Sequence, residues 1–340
     1  LNDALVEYLA FRKAQNFAPA TLVSEKRTLR QLMEVNGNIL VRNISERSVE
    51  RLYAKYNWQP STYNRVRTQL ASFFKWARSR GHMARDNDPL ANFRQARVVQ
   101  PDVLFVPQER FAELLDVAEK RSPRNRALVA IGLYAFLRGG EASALRWQDI
   151  DLDEDYISLH RVKTYDKDRM PICAELHEEL ARWKYAYGVA VQEIPHLDWH
   201  VIPPFRAPGF KRGADGLLHL ATRAELIPTR RLTIPHYPIQ LALGDMGYAT
   251  LDEGGHTLRR SGGYALYQRL SHLGHDRAGR IVQSMYGHKS FQTTEKYLRL
   301  SLERKARDDI LRGQRMFDEA EGKVIHLGED RAGDIRLRQV

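Results

Sequence analysis

The stretch Met285–Leu300, MYGHKSFQTTEKYLRL, packs a Gly-His pair, two threonines and a tyrosine into about four helical turns. Taken alone it reads two ways. Tyr297 fits an amphipathic helix anchored by Leu298 and Leu300, and it equally fits a nucleophile carried beside His288. Residues far upstream decide between them.

A chain of 340 residues is long for one ordinary domain and fits two. With 43% hydrophobic and 28% charged residues it has the balance of a folded globular protein. No run approaches the roughly 18 apolar residues that span a bilayer, and the N-terminus carries no basic-apolar-small signal. The chain starts at Leu1 instead of Met, which leaves room for residues upstream. A single cysteine, Cys173, excludes an internal disulfide framework and a Cys-rich zinc site. These features predict an intracellular protein with no membrane role.

Net charge is +11, and the excess is concentrated. Residues 1–100 hold 17 Lys/Arg against 8 Asp/Glu, a net +9. From Arg51 to Arg85 there is no acidic residue, only Arg51, Lys55, Arg65, Arg67, Lys75, Arg78, Arg80 and Arg85. A solvated basic face explains such a run, but a segment so one-sided favours nucleic-acid phosphate as the partner.

Residues 1–95 read as helices. LNDALVEYLAFRKAQ has helical spacing, PATLVSEKRTLRQLMEV follows with Pro19 near its first turn, and ISERSVERLYAKY offers Ser45 as N-cap. PSTYNRVRTQLASFFKWARSRG buries Val66, Leu70, Phe73, Phe74 and Ala77, and a shorter helix is expected around DPLANF. Residues 96–106, bracketed toward their end by Pro101 and Pro107, read as a linker. Beyond it come helices at 107–120 and 123–137, the second almost wholly apolar. An alternating stretch, LRWQDIDLDEDYISLHRVKTYDKDRMPIC, predicts a small antiparallel sheet. A helix from Ala174, an irregular Pro- and Gly-rich segment over 190–250, and further helices through HTLRRSGGYALYQRLSHLG, DRAGRIVQSMYG and LERKARDDILRGQRMF complete the chain.

Several polar residues lie in places that need explaining. Arg138 emerges from the buried apolar helix, and Glu141 three positions on can orient its guanidinium. Lys163 sits in the small sheet. His256 and Arg259 share one face of a helix start, where backbone N–H groups favour an anion. His288 and Tyr297 close the series. Singly, each has a bland reading as surface hydrogen bond, solvated lysine or packed ring. The order of the set carries the argument.

In that order the sequence resembles the tyrosine recombinase (phage integrase) family. LRGGEASALRWQDID, VKT followed by RMPI, HTLRRSGG and YGHKSFQTTEKYL match its motifs from about Arg138 to Leu300. Two positions depart from the common pattern: Arg260 stands where many relatives have histidine, and Phe136 where glycine is common. The resemblance implies a mainly α fold with a small antiparallel β-sheet. It divides into a helical core-binding (SAM-like) domain at 1–95, a catalytic domain of the DNA breaking-rejoining fold at 107–300, and a tail at 301–340 docking on a neighbouring protomer. The two domains would clamp duplex DNA, the fourth helix reading bases, with a homo-tetramer on paired sites and room for an accessory DNA-bending protein. It implies a simple integrase or a chromosome- or plasmid-resolving enzyme in a bacterial cytoplasm or nucleoid, the chain itself being too short for an added arm-binding domain. The implied site is Arg138, Lys163, His256, Arg259, His288 and the nucleophile Tyr297, supported by Glu141, with no cofactor and no metal.

The chemistry of these side chains suits those roles. Arg138 and Arg259 can clamp non-bridging phosphate oxygens by forked hydrogen bonds, with His288 as a further donor. Free tyrosine has a pKa of about 10, so Tyr297 needs a proton acceptor, for which His256 is suited. Lys163 on a hairpin can protonate the departing 5′-oxygen. The product would be a 3′-phosphotyrosyl intermediate that a second strand's 5′-hydroxyl can reverse. Three rivals remain: a type IB topoisomerase, a DNA-binding regulator without catalysis, and a metal-dependent nuclease using His196, Asp198 and His200 of HLDWH.

Overall fold

Pro19 and Pro60 each open a helix, because a first-turn residue has no intrahelical use for a backbone N–H. In the computed structural model the described residues are 1–99, 103–161, 166–207, 209–212, 218–221, 224–248, 254–298, 327–329 and 335–337. By its contacts the chain divides into two units, Leu1–Asp102 and Val103–Val340.

The first unit is four helices: α1 (Asn2–Ala14), α2 (Pro19–Asn36), α3 (Glu46–Tyr56) and α4 (Pro60–Ser79). Ser45 stands at the head of α3, where its N–H donates to the Ser48 hydroxyl at 3.3 Å. On α4, Val66, Leu70, Phe73, Phe74 and Ala77 are buried as their spacing requires, and Trp76 joins them. Truncating either fully buried phenylalanine to alanine would cost about 3–5 kcal/mol. The Arg12 guanidinium forks onto the buried Glu25 carboxylate at 2.6 and 3.1 Å, tying α1 to α2. The helix expected around DPLANF is not formed. The Asp88 carboxylate takes the Leu90 N–H at 3.2 Å, and the Asp88 and Leu90 carbonyls take the N–H groups of Ala91 and Phe93. Such local side-chain and turn bonds compete with helix. Asn64 then holds Ala96 by both its N–H and its carbonyl, at 2.8 and 2.9 Å.

The second unit begins with α5 (Phe111–Arg121), α6 (Pro123–Tyr134) and the short α7 (Gly139–Ala144). The Ser122 hydroxyl caps α6, which is buried on nearly every face and forms the centre of the core. Strands β1 (Ile150–Asp151), β2 (Tyr156–Arg161) and β3 (Asp166–Pro171) make an antiparallel sheet in that order, with Ile157 opposite Met170 and both buried. α8 (Ala174–Val191) packs on α6. The segment that is irregular by sequence holds two ribbons, β4 (Phe205–Arg206) with β7 (Glu225–Leu226) and β5 (Gly209–Arg212) with β6 (Leu218–Ala221). It also holds an unanticipated helix, α9 (His236–Asp245), whose Pro238 falls in the first turn, where proline is tolerated.

The closing helices are α10 (Gly255–Arg269), α11 (His275–Tyr286) and α12 (Phe291–Leu298). A short antiparallel pair, β8 (Leu327–Glu329) and β9 (Ile335–Leu337), lies in the tail, whose expected helix over 302–317 falls outside the described residues. Helices α6 and α10 cross at glycine distance. A Cβ on Gly262 would fall 1.8 Å from the Leu133 carbonyl oxygen, and one on Gly132 would fall 2.8 Å from the Leu258 side chain. That approach brings the start of α10 beneath the chain leaving α6.

Candidate active site

Phe136 follows α6 with φ +51°, a left-handed conformation that glycine adopts more easily. The backbone there turns its carbonyl onto the Arg259 guanidinium, which donates to it through Nη1. Here lies the physical content of the sequence departure at this position: phenylalanine accepts a glycine-type backbone and places its ring against Tyr286, 5.9 Å away and nearly perpendicular.

Arg259 is 1% exposed. Its Nη2 donates to the Tyr286 carbonyl at 2.6 Å, and Nη1 stands 3.6 Å from the Glu141 carboxylate. Burial lowers its pKa to about 10, with repulsion from Arg138 adding to the effect. It remains a cation at neutral pH. Arg138, at the head of α7, donates to Glu141 through Nη1 at 2.7 Å and through its backbone N–H at 2.9 Å. Burial acts to raise the Glu141 carboxyl, but the backbone N–H and charge of Arg138 outweigh it and hold the group below the ordinary carboxylate range. One carboxylate thus orients two guanidiniums.

The Tyr297 hydroxyl lies 3.0 Å from His256 Nδ1 and 3.2 Å from the His256 carbonyl oxygen. Its ring centroid is 5.9 Å from the Arg259 guanidinium carbon and 5.6 Å from the His288 ring. Burial raises the phenol's pKa, opposed by the positive charges of Arg259, Arg260 and Arg138. His288 Nδ1 is 3.0 Å from the hydroxyl of Thr294, a residue with no exposed surface. Arg138, Glu141, His256, Arg259, His288 and Tyr297 therefore form one continuous group. Lys163, which falls between β2 and β3 along the chain, lies outside the described residues.

Arg260 donates to the Leu104 carbonyl at 3.3 Å and to the Thr257 hydroxyl at 3.5 Å, while Ser261 Oγ accepts the Val106 N–H at 2.8 Å. Two members of the site escaped the sequence reading. Tyr286 looks like one more aromatic at the end of a helix, yet it touches Arg259, Tyr297 and His288. Thr294 reads by sequence only as one of two threonines in the stretch, although its i, i+6 spacing from His288 across a turn is a usable signal.

The basic residues of the first unit are partly engaged within it. Arg51, Lys55, Arg65, Lys75, Arg80 and Arg85 are exposed. Lys55 pairs with Glu34 at 2.5 Å and Arg65 donates to Ser24 at 2.8 Å. Arg67 and Arg78 are half-buried and donate to the carbonyls of Phe93 and Asn87. His196 is exposed, stacked on Trp199 and paired with Glu193, whereas His200 is buried with its pKa pulled down by that burial. Among the described residues no three His, Cys, Asp or Glu side chains gather as a metal site would need. No helix among them is long and apolar enough to cross a membrane.

Residues 105–203 match the phage integrase family. The defective protein IntQ of Escherichia coli (strain K12) is 30% identical over 112 residues, covering 32% of this chain and 27% of that protein, so the likeness spans about a quarter of the curated relative. Among solved structures, a lambda integrase dimer bound to a COC′ core site superposes with a TM-score of 0.64 at 16% identity, covering 94% of this chain and 80% of that one. The Tn1549 transposon integrase in complex with transposon right end DNA gives 0.60 at 16% identity, covering 89% and 98%. A lambda integrase tetramer bound to a Holliday junction gives 0.59 at 17% identity, covering 85% and 77%. These likenesses establish a shared fold.

Proposed function

We propose, the chain being a member of the phage integrase (tyrosine recombinase) family, that it is a site-specific DNA recombinase, cleaving and rejoining strands through a 3′-phosphotyrosyl intermediate. The observation that carries this reading is the pairing of the Tyr297 hydroxyl with His256 Nδ1 at 3.0 Å, beside two guanidiniums held on one carboxylate. A half-buried phenol with a raised pKa is a poor nucleophile until a neighbour takes its proton, and Nδ1 is in reach to do so. Tyr297 Oη attacks the phosphorus, its proton passes to His256, and the bond from phosphorus to the 5′-oxygen breaks. Lys163 is the proposed proton donor to that oxygen. Arg138, Arg259 and His288 stabilise charge on the non-bridging oxygens. Two cations supply what Mg²⁺ supplies in many nucleases, so cleavage should persist in EDTA.

Duplex DNA is the proposed substrate, with the helical unit at 1–95 as its core-binding domain gripping phosphates through its basic face, and four protomers on paired sites as the working assembly. A phage-type integration and excision role is preferred over resolution of chromosomes or plasmids. The test is a nicked duplex cut from the DNA flanking the gene. A covalent adduct with wild type that is absent in Tyr297→Phe supports the reading; no adduct on any flanking sequence sinks it. Relaxation of supercoils by a monomer that never joins two sites would favour a type IB topoisomerase instead.

A further inference from the structure

We propose that Tyr286 is a positioning residue for Arg259, fixing that arginine's backbone and guanidinium together and so setting how its charge meets the scissile phosphate. The inference rests on the recombinase reading above.

Three contacts converge on it. The Tyr286 hydroxyl donates to the Arg259 carbonyl at 2.9 Å, and the Tyr286 carbonyl accepts Arg259 Nη2 at 2.6 Å. The guanidinium carbon lies 4.5 Å from the Tyr286 ring centroid, within range of the ring's electron-rich face. The carbonyl belongs to the last residue of α11, where helix carbonyls have no intrahelical partner, so the arginine satisfies a group that the helix leaves open. Burial raises the Tyr286 phenol well above its ordinary pKa, which keeps it a donor throughout the working pH range.

The same ring lies 5.2 Å from Tyr297 at 75° and 5.0 Å from His288 at 44°. Tyr286 therefore sets the cation and abuts both the nucleophile and His288, the further phosphate donor. Its hydroxyl reaches Arg259 only because residue 263 is glycine, since a Cβ there would fall 1.8 Å from that oxygen. The ring edge depends on the same glycine, since that Cβ would also fall 2.4 Å from Tyr286 Cζ; what the hydroxyl adds to the packed ring is the bond to the Arg259 carbonyl.

The test compares Tyr286→Phe with wild type in single-turnover adduct formation. One nicked duplex carries an ordinary scissile phosphate, the other a neutral methylphosphonate at the same position. Because the guanidinium acts on phosphate charge, adduct formation on the phosphodiester should slow about tenfold in Tyr286→Phe. Site affinity should stay within about twofold, and the rate on the methylphosphonate should match wild type within about the same margin. Gly263→Ala, which crowds the hydroxyl from the other side, should show the same selectivity. Equal slowing on both substrates, affinity lost in step with rate, or an unchanged phosphodiester rate overturns the proposal. A wild-type protein that forms no adduct on either duplex overturns the recombinase reading and this inference together, whereas wild-type cleavage matched by Tyr286→Phe overturns the inference alone.

Discussion

The Tyr297 hydroxyl is held by one residue twice, 3.0 Å from the Nδ1 of His256 and 3.2 Å from that residue's own carbonyl oxygen. A phenol has one proton to donate, so the two acceptors compete for it, and only the imidazole can carry it away. His256→Ala keeps the carbonyl and removes the base. Single-turnover cleavage should fall about 10²-fold near neutral pH. Because burial sets the Tyr297 pKa above its ordinary value, the variant's rate should climb with pH about tenfold per unit as phenolate accumulates. A rate that stays flat with pH would exclude Nδ1 as the acceptor.

Glu141 holds Arg138 at 2.7 Å and stands 3.6 Å from Arg259. Glu141→Gln removes the charge but not the shape. It should cost about 1–3 kcal/mol of stability, as loss of a charge-assisted hydrogen bond does, and should slow cleavage more than it weakens site binding. The folded-state pKa of Glu141 is depressed, so its stabilising contribution is present above the unfolded carboxylate value and is lost as pH falls through the folded one. Urea titrations at pH 7 and at pH 3 should therefore show the wild-type advantage over Glu141→Gln shrinking in acid.

Thr294 positions His288 through a 3.0 Å contact to Nδ1. Thr294→Val keeps the volume and deletes the partner. Stability should drop by about 1 kcal/mol, and cleavage should slow while Thr294→Ser remains near wild type. Equal rates for the valine and serine variants would show that the hydroxyl plays no part.

Gly262 has no room for a side chain against the Leu133 carbonyl. Gly262→Ala should destabilise the second unit by about 3 kcal/mol through overpacking at a helix crossing, read as a lowered midpoint in thermal or urea unfolding.

Buried and half-buried tyrosines set an alkaline limit. Burial pushes Tyr134 up to about 12 and raises Tyr8, Tyr53 and Tyr187 as well. Each group is held protonated in the folded chain, so its contribution is complete below the unfolded value of about 10 and is lost as pH rises toward the folded one. Absorbance at 295 nm should show these phenols ionising together with loss of helical circular dichroism, above pH 10.

Local pattern carried far in the first unit, because each helix there is specified by its own caps and apolar stripe: Ser45, Pro19, Pro60 and the Val66–Ala77 row suffice to mark them. It failed at DPLANF, where Asp88 takes the Leu90 N–H and wins over apolar spacing. It failed again at α9, since a proline-bearing run in an irregular segment gives no periodic signal.

By itself the sequence determined the helix registers and the order of Arg138, Glu141, His256, Arg259, His288 and Tyr297. Order is a property of one dimension, and the chemistry of each side chain travels with it. Only the tertiary structure decided what surrounds Arg259, whose partners at Phe136 and Tyr286 lie 123 and 27 residues away along the chain. Those contacts depend on how closely α10 approaches α6 and α11, and that distance is set by three glycines whose missing Cβ atoms are matched to a carbonyl, a leucine and a phenol. Tyr286 became legible as part of the site only once that approach had placed its hydroxyl on the arginine.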